Sequence, residues 1–183
     1  MTVNPRTRRW RGRPAQGAGG YRRWLKDCGS LTQRIQERCA RCAVRGVEQG
    51  LGRAFQDERK AVGLRSGERA LVREVYLYCG EIPVVFAHSV LAPRSLRGPW
   101  RMLAGLGNRP LGAALFADPR IERTPLHFRK LHPRDALFRH ACRALTARPR
   151  ELWARRSLFR LRGQPILVTE VFLPGILELR ACG

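Results

Sequence analysis

Alternating apolar positions in two parts of the chain predict antiparallel β-hairpins. In Ala70–Tyr78 aliphatic side chains alternate with polar and aromatic ones, and the mostly apolar run Pro83–Ala92 follows across the turn residues Gly80-Glu81. Near the C-terminus, Ser157–Leu161 and Ile166–Leu173 flank a second Gly-containing turn. Closely spaced strands joined by tight turns are typical of antiparallel pairing. We therefore predict two hairpins within one sheet.

Helical spacing occupies much of the remaining chain. Between Tyr21 and about Gly52, apolar residues recur every three or four positions, and Ser30 is suited to cap the helix. The other predicted elements are short helices at 95–106, before Phe116 and up to Arg143, and a strand at 121–131. Hairpin strands with helices grouped between them predict an α+β fold built on an antiparallel sheet.

The length of 183 residues and a hydrophobic fraction of 44% fit one domain with its own core. Residues 1–20 combine Arg, Pro and Gly with no acidic residue, so we expect a disordered basic extension followed by a domain at 21–183. The sequence has no apolar run of the length that a membrane helix needs and no pattern of a secretory signal. We therefore expect a cytoplasmic protein without a transmembrane segment.

The formal net charge of +22 raises the question of nucleic-acid binding, because such a surface attracts polyanions. Only Lys26, Lys60 and Lys130 are lysines, and the arginines are spread along the chain without forming one stripe. A strong preference for Arg over Lys is also what a GC-rich coding sequence produces. We expect no specific nucleic-acid partner, and a nucleic-acid-binding protein stays as an alternative.

The six cysteines are scattered, and without a secretion signal we expect no disulfide framework. Cys39 and Cys42 have the spacing of a zinc or redox pair, but two further ligands at comparable spacing do not follow. No Gly-rich phosphate loop follows a predicted strand. The expectation is a protein with no metal and no nucleotide.

Two charged residues stand in apolar strands. Alternation places Arg73 on the aliphatic face of its strand, and Glu170 lies in a run that is apolar on both faces. A buried charge is costly unless it meets an opposite charge, and a buried carboxyl that lacks one retains its proton. Two interpretations fit equally: a structural Arg73–Glu170 ion pair, or a cavity in which the two residues bind opposite ends of one ligand.

The C-terminal residues carry a resemblance to a known family. Leu152-Trp153-Ala154-Arg155-Arg156-Ser157, then Leu161-Arg162-Gly163-Gln164-Pro165 and Leu167–Pro174, resemble the C-terminal signature of the chorismate pyruvate-lyases. Pro110-Leu111-Gly112, the strand Leu71–Val75 and Gly29–Thr32 extend the match, so that it covers roughly 21–178.

The resemblance implies an enzyme that cleaves chorismate to 4-hydroxybenzoate and pyruvate, the first committed step towards ubiquinone in many bacteria. It also implies a six-stranded antiparallel sheet, helices that enclose the ligand site and no cofactor. We separately expect a monomer. By the same resemblance, Arg73 binds the ring carboxylate, Glu170 faces the oxygen at the para position, and Leu111 and Leu31 contact the bound product. Arg73 and Glu170 are the candidate catalytic residues: Glu170 either transfers a proton at the departing ether or only orients the substrate.

Two further residues are implied with less support from the motif. Arg155 is a candidate for the enolpyruvyl carboxylate, or else a structural arginine. His88 stands where the family has an arginine, and would assist the second carboxylate or substrate admission only weakly at neutral pH. The alternative from another class is a non-catalytic regulatory module that binds a small aromatic acid, since the same small α+β fold occurs in effector domains.

Overall fold

The computed structural model describes residues 9–14 and 16–179. Within them, seven antiparallel strands form one sheet in the order β1-β2-β3-β7-β6-β4, and β5 also pairs with β6. The strands are β1 (Cys42–Gly52), β2 (Ala70–Cys79), β3 (Ile82–Leu91), β4 (Glu122–Arg123), β5 (His127–Leu131), β6 (Leu152–Leu161) and β7 (Gln164–Phe172). The predicted strand at 121–131 is divided into β4 and β5, on either side of Pro125, which has no N–H to donate.

The helices are all short; the first two precede β1, and the other three lie between strands. They are α1 (Arg22–Leu25), α2 (Leu31–Gln36), α3 (Gln56–Arg59), α4 (Leu111–Ala117) and α5 (Ala136–Ala141), with 3-10 turns at Gly19–Tyr21, Pro93–Arg97, Arg101–Gly105, Cys142–Ala144 and Pro174–Glu178. The predicted α+β class and the two hairpins are confirmed. None of the helices in the described part of the chain has the length and apolar character needed to cross a membrane.

Both faces of the sheet are covered, as the doubly apolar run around Glu170 predicts. On one face, Val75 and Leu77 of β2 pack in a core with Trp24 of α1 and Leu31 of α2. On the other face, residues of β3, β6 and β7 form a second core with α5, including Phe138. The face on which alternation placed Arg73 is the one beneath α1, α2 and α4.

The helix predicted from Tyr21 to about Gly52 is wrong over its second half. The chain leaves α2 at Gln36 and then forms β1, which pairs with β2 along its length. The register shifts between Arg45 and Glu48, and Gly46 within this bulge has a φ of +60° that glycine adopts readily. β1 is an edge strand with many exposed positions, so it lacks the regular apolar alternation that identifies a strand.

The expectation of no disulfide is also wrong, for the same reason. Because the chain turns after α2, Cys39 leaves the predicted helix and reaches the end of β2, where it is bonded to Cys79. The two Cα atoms are 5.8 Å apart and 40 residues separate them in sequence. Cys42 is a free, half-buried thiol on β1 directly opposite Cys79.

Part of the predicted basic extension contacts the domain. Arg11 forms an isolated antiparallel bridge with Phe128 of β5, and the Trp10 Nε1 donates to Asp57 at 2.7 Å. Ala18 is buried in the core beside α1. These contacts tie the later residues of the extension to the sheet edge. Residues 1–8 and 15 lie outside the described residues, and their disorder stays a prediction.

Candidate active site

An enclosed cavity of about 40 Å³ lies between the sheet and the helices α2 and α4. Strands β2, β3, β6 and β7 form its floor, and Leu31, Leu111 and Leu115 are among the apolar side chains of its roof. Few polar side chains interrupt this apolar lining, and the charged ones are Arg73, Arg123 and Glu170. An apolar cavity with a small number of placed charges is the usual form of a small-molecule site.

Arg73 is a buried cation without a carboxylate partner. Its side chain, on β2, donates to Gln49 Oε1 at 3.2 Å and to the carbonyl oxygens of Gly107 at 2.9 Å and Arg109 at 3.3 Å. All three acceptors are neutral, and burial lowers the pKa of Arg73 below its usual range. No ion pair within the described residues involves this guanidinium, which is therefore ready to bind an anion in the cavity.

Glu170 forms its ion pair with Arg155, which lies directly opposite on β6. The Arg155 Nε donates to Glu170 Oε2 at 2.5 Å, and its Nη1 donates to the carbonyl oxygens of Trp24, at 2.9 Å, and Asp27. Arg155 is fully buried and does not line the cavity. Arg155, and not Arg73, is thus the ion-pair partner of Glu170. Arg73 and Glu170 are therefore separate charged groups of one cavity.

Leu31 and Leu111, for which the resemblance implies contact with the product, lie in the wall of the cavity. Each is the first residue of its helix, α2 and α4 respectively. Ser30 caps α2 by accepting a hydrogen bond from the Gln33 backbone N–H at 3.4 Å, as predicted. The two helices pack closely over the cavity. A Cβ placed on Gly112 of α4 would lie only 3.4 Å from Thr32 Oγ1 of α2.

His88 lies on the face of the sheet opposite the cavity. Its two neighbours on β3, Ala87 and Ser89, line the cavity, but His88 does not. Its Nδ1 is 2.8 Å from Glu74 Oε1 and its Nε2 is 3.3 Å from Glu58 Oε2. Burial opposes protonation of His88, but hydrogen bonds and charge from the two carboxylates outweigh it and raise its pKa to about 9. The structure therefore places His88 in a buried ionic cluster away from the cavity.

Arg123 is a cavity residue that the sequence did not single out. It lies on β4, where its Nε donates to Ser157 Oγ at 2.9 Å and its Nη1 donates to the carbonyl oxygen of Cys28 at 2.6 Å. The guanidinium carbon is 5.3 Å from the ring centre of Phe116 and 5.2 Å from that of Phe159. β4 is too short to show alternation, so no periodic signal identified this side chain.

In residues 9–14 and 16–179, no group of three or more His, Cys, Asp or Glu side chains is arranged to hold a metal ion. The charged groups of the cavity are instead suited to an anionic organic ligand. Arg73 offers a cation at one end, and Glu170 offers a carboxylate that can accept a hydrogen bond. The expectation of a metal-free and cofactor-free protein stays a prediction.

The fold is similar to that of the ligand-binding domain of a putative GntR-family transcriptional regulator from Bordetella bronchiseptica, with a TM-score of 0.50 at 18% identity, over 73% of this chain and 85% of that one. PhnF from Mycobacterium smegmatis matches with a TM-score of 0.57 at 16% identity, over 82% of this chain and 66% of that one. The PhnF C-terminal domain matches with a TM-score of 0.53 at 12% identity, over 75% of this chain and 84% of that one. At these identities the likeness shows the fold alone.

Sequence relatives are much closer. A probable chorismate pyruvate-lyase of Nitrosospira multiformis is 57% identical over 93% of this chain and 95% of its own length. Those of Nitrosomonas europaea and Aromatoleum aromaticum are 52% and 50% identical, over 98% of this chain and 100% and 99% of their own lengths. The model of the family described as chorismate lyase matches residues 17–180. The chain belongs to the chorismate lyase family.

Proposed function

We propose that this protein is a chorismate pyruvate-lyase, which cleaves chorismate to 4-hydroxybenzoate and pyruvate and so supplies the ubiquinone pathway. The cavity between the sheet and helices α2 and α4 is its active site. The observation that carries this assignment is the pair of charged groups in one enclosed cavity. Arg73 is a buried cation that lacks a carboxylate, and Glu170 is a carboxylate whose charge Arg155 compensates.

The sheet register supports the binding of an aromatic acid between Arg73 and Glu170. Arg73 pairs with Ser89 on β3, and Ser89 pairs with Val168, which shares its face of β7 with Glu170. Two strand spacings of about 4.8 Å and an offset of about 7 Å along β7 place the two Cα atoms about 12 Å apart. Both side chains project from the same face of the sheet, and a benzoate ring fits between them once the cover moves outwards and enlarges the cavity.

In this arrangement Arg73 binds the ring carboxylate, and Glu170 faces the oxygen at the para position. A guanidinium suits a carboxylate because its N–H groups match the two oxygens in geometry and charge. Leu31 and Leu111 contact the ring from α2 and α4. These assignments account for the polar groups at both ends of 4-hydroxybenzoate, which is the aromatic product.

The reaction needs positioning more than a reactive group. The ether bond from the ring to the enolpyruvyl group breaks, and the ring loses the hydrogen of the neighbouring hydroxyl-bearing carbon. The enolpyruvyl methylene carbon gains a proton and becomes the methyl group of pyruvate. All atoms of chorismate are then in the two products, with no net oxidation. Formation of the aromatic ring supplies the driving force, and a correctly held conformer supplies much of the rate.

We assign Glu170 an orienting role. The buried Arg155 guanidinium compensates its carboxylate, so that Glu170 is suited to accept a hydrogen bond from the para hydroxyl group. A folded Glu170→Gln variant retains an acceptor oxygen, and we expect its kcat within about tenfold of wild type. General acid–base catalysis contributes about 10²–10⁴-fold, so a loss of that size would assign proton transfer to Glu170 instead.

Ligand admission requires the cover to move. A cavity of about 40 Å³ accommodates only a few water molecules and is smaller than chorismate. The floor consists of paired strands, whereas the roof consists of the short helices α2 and α4. We propose that separation of these two helices opens the cavity, and the same motion would release the product.

Incubation of the purified protein with chorismate tests the proposal directly. We expect 4-hydroxybenzoate and pyruvate in equal amounts, measured by chromatography and by coupled reduction of pyruvate. The likeness to ligand-binding domains keeps the regulatory module as the second candidate. Binding of 4-hydroxybenzoate without any turnover of chorismate would favour that module. Salt-resistant, sequence-selective RNA or DNA binding without turnover would favour a nucleic-acid-binding protein.

We also propose that the protein acts as a monomer, because residues of one chain form the floor, the roof and both charged ends of the cavity. Gel filtration with light scattering during turnover conditions measures this directly. A mass near 20.8 kDa is expected, and a stable dimer that loses activity on dilution would contradict it. A cytoplasmic location stays a prediction from the sequence.

A further inference from the structure

Arg123 is held in a fixed position with part of its guanidinium unused. A guanidinium has five N–H donors. The hydrogen bonds of Arg123 to Ser157 and to the Cys28 carbonyl use Nε and Nη1, and the Nη2 has no partner among the described residues. The rings of Phe116 and Phe159 pack beside the group, with their centres 5.3 and 5.2 Å from the guanidinium carbon. Its orientation is therefore set before any ligand binds, with donors left for that ligand.

The charge of Arg123 is not compensated by a direct partner. Both of its hydrogen-bond acceptors are neutral oxygens, and burial lowers its pKa, although the charge of nearby Glu170 acts in the opposite direction. Glu170 itself is hydrogen-bonded to Arg155. Within the cavity, Arg73 and Arg123 therefore each lack a direct carboxylate partner, whereas Glu170 is paired with Arg155. Two such cations match a dianionic ligand.

The two uncompensated cations lie on opposite sides of the cavity floor. Arg73 is on β2, and Ser157, which holds Arg123, is on β6 in the same cross-strand row through Ser89 and Val168. Three strand spacings of about 4.8 Å put Arg73 and Ser157 about 14 Å apart. A ligand whose single carboxylate binds Arg73 leaves Arg123 unsatisfied, so a second anionic group is needed on that side.

We propose that Arg123 forms a second carboxylate subsite, which binds the enolpyruvyl carboxylate of chorismate. This inference rests on the proposed function and goes beyond it, because it distinguishes substrate from product. Chorismate carries two carboxylates, whereas 4-hydroxybenzoate carries only the ring carboxylate that Arg73 binds. Arg123 therefore selects the substrate and fixes the departing group over Glu170. Binding of the enolpyruvyl carboxylate thus falls to Arg123 and not to Arg155, the candidate from the family resemblance, because Arg155 is buried outside the cavity.

The subsite also favours bond cleavage. When the ether bond breaks, its electron pair moves to the enolpyruvyl oxygen, and the proton from the ring carbon is added to the methylene carbon as pyruvate forms. A fixed cation beside this group stabilises the negative charge that develops during cleavage. After cleavage, pyruvate retains the carboxylate bound to Arg123, and 4-hydroxybenzoate retains the carboxylate bound to Arg73. Each product thus keeps one of the two anchors.

The Arg123→Met variant tests the subsite through two ligands. Loss of a charge-assisted contact of about 1.5–3 kcal/mol lowers kcat/KM for chorismate by about 10- to 150-fold. The Kd of 4-hydroxybenzoate, measured by calorimetry, should change less than about threefold, because this ligand has no second carboxylate for Arg123 to bind. A threefold change corresponds to less than about 1 kcal/mol. The Arg73→Met variant should lose affinity for both ligands. Arg160→Met, at an exposed position of β6, is the matched control that should lose neither.

Equal losses for chorismate and 4-hydroxybenzoate in Arg123→Met, or no loss for chorismate, would overturn the subsite. Thermal melts show whether the variant folds. Should it not fold, Arg123→Gln keeps most of the apolar stem and an N–H donor but removes the charge, and the expected result is again a loss confined to chorismate. Parallel losses for both ligands in this variant would count against the subsite.

A non-reactive dianion separates this inference from the proposed function. The probe is 3-carboxymethoxy-4-hydroxybenzoate, which carries a second carboxylate near the position of the enolpyruvyl group. Wild-type protein should bind it more tightly than Arg123→Met does by about tenfold or more, a difference of about 1.4 kcal/mol. This result does not depend on turnover. Absence of turnover in the wild type would refute the lyase, and identical affinity of the two proteins for the dianion would refute the subsite.

Discussion

Replacement of Arg73 by methionine should separate ligand binding from fold stability. Arg73 is only 4% exposed, and its hydrogen bonds go to three neutral oxygens and to no carboxylate. Methionine keeps the apolar stem and removes a cation whose burial is uncompensated. We expect the ligand-free variant to fold with a nearly unchanged free energy of unfolding, while its affinity for 4-hydroxybenzoate falls strongly.

The expected magnitudes follow from these contacts. Three hydrogen bonds from a charged donor contribute about 1.5–3 kcal/mol each, and relief of the buried charge returns several kcal/mol. These opposing effects nearly cancel, so the net change should stay within about 2 kcal/mol, or about 4–8 °C in Tm for a chain of this size. Binding has no such compensation, and loss of one charge-assisted contact weakens it by about 10- to 150-fold.

Thermal melts with and without 4-hydroxybenzoate measure both quantities. At a ligand concentration of about 100 times the wild-type Kd, bound ligand stabilises the wild type by about 2.7 kcal/mol, which is about 5–11 °C. If affinity falls about 100-fold, the same concentration stabilises Arg73→Met by only about 0.4 kcal/mol, or 1–2 °C. Arg45→Met, which removes an exposed ion pair with Glu81, is the control and should keep the full ligand shift.

The opposite pattern would refute this reasoning. If ligand-free Arg73→Met lost more than about 10 °C in Tm, a value beyond the range expected for about 2 kcal/mol, yet kept the wild-type shift with ligand, Arg73 would be a structural residue. Its three neutral contacts would then outweigh the burial of its charge.

Three further perturbations test other parts of the structure. Glu170→Leu leaves the buried Arg155 charge unpaired and should lower the free energy of unfolding by about 3–5 kcal/mol. The double variant with Arg155→Met should regain part of this loss, as measured by urea denaturation. Additive losses from the two substitutions would show that the two side chains do not interact. Cys79→Ser opens a disulfide that spans 40 residues and should cost about 4 kcal/mol by the chain-entropy model, whereas the exposed Cys28→Ser should cost little; equal melts would contradict the bond. Because the pKa of His88 is raised to about 9 in the folded state, its stabilising contribution is complete below about pH 6.5 and is lost as pH rises through 9. His88→Gln should flatten that alkaline part of the stability curve, and an unchanged curve would exclude His88 as its source.

Strand patterns predict two of the three charged residues of the cavity, Arg73 and Glu170. The period of two placed Arg73 with the aliphatic residues of β2, and the doubly apolar run identified β7 as a strand covered on both sides. The same principle separates His88 from the site, since it alternates with the cavity residues Ala87 and Ser89. The resemblance directed attention to His88, whereas the alternation of β3 points its side chain away.

Pairing across the sheet was only partly accessible. The turn at Arg162-Gly163 sets the register of the β6–β7 hairpin, in which Leu161 pairs with Gln164 and Arg155 consequently pairs with Glu170. This register could have identified the true partner of Glu170 from the sequence. Where a local pattern is weak, as in edge strand β1 and two-residue β4, only tertiary contacts decide the structure. The helical spacing in β1 and the shortness of β4 therefore do not predict the strand at 42–52 or the place of Arg123 in the cavity.

A crystal structure with bound 4-hydroxybenzoate is the most direct test of the proposed site. We predict the ligand in the cavity beneath α2 and α4, with its carboxylate on Arg73, its hydroxyl group within hydrogen-bonding distance of Glu170, and the Arg155–Glu170 ion pair intact. A ligand bound outside this cavity, or bound within it with the carboxylate on Arg123 and the hydroxyl group towards Arg73, would contradict the account.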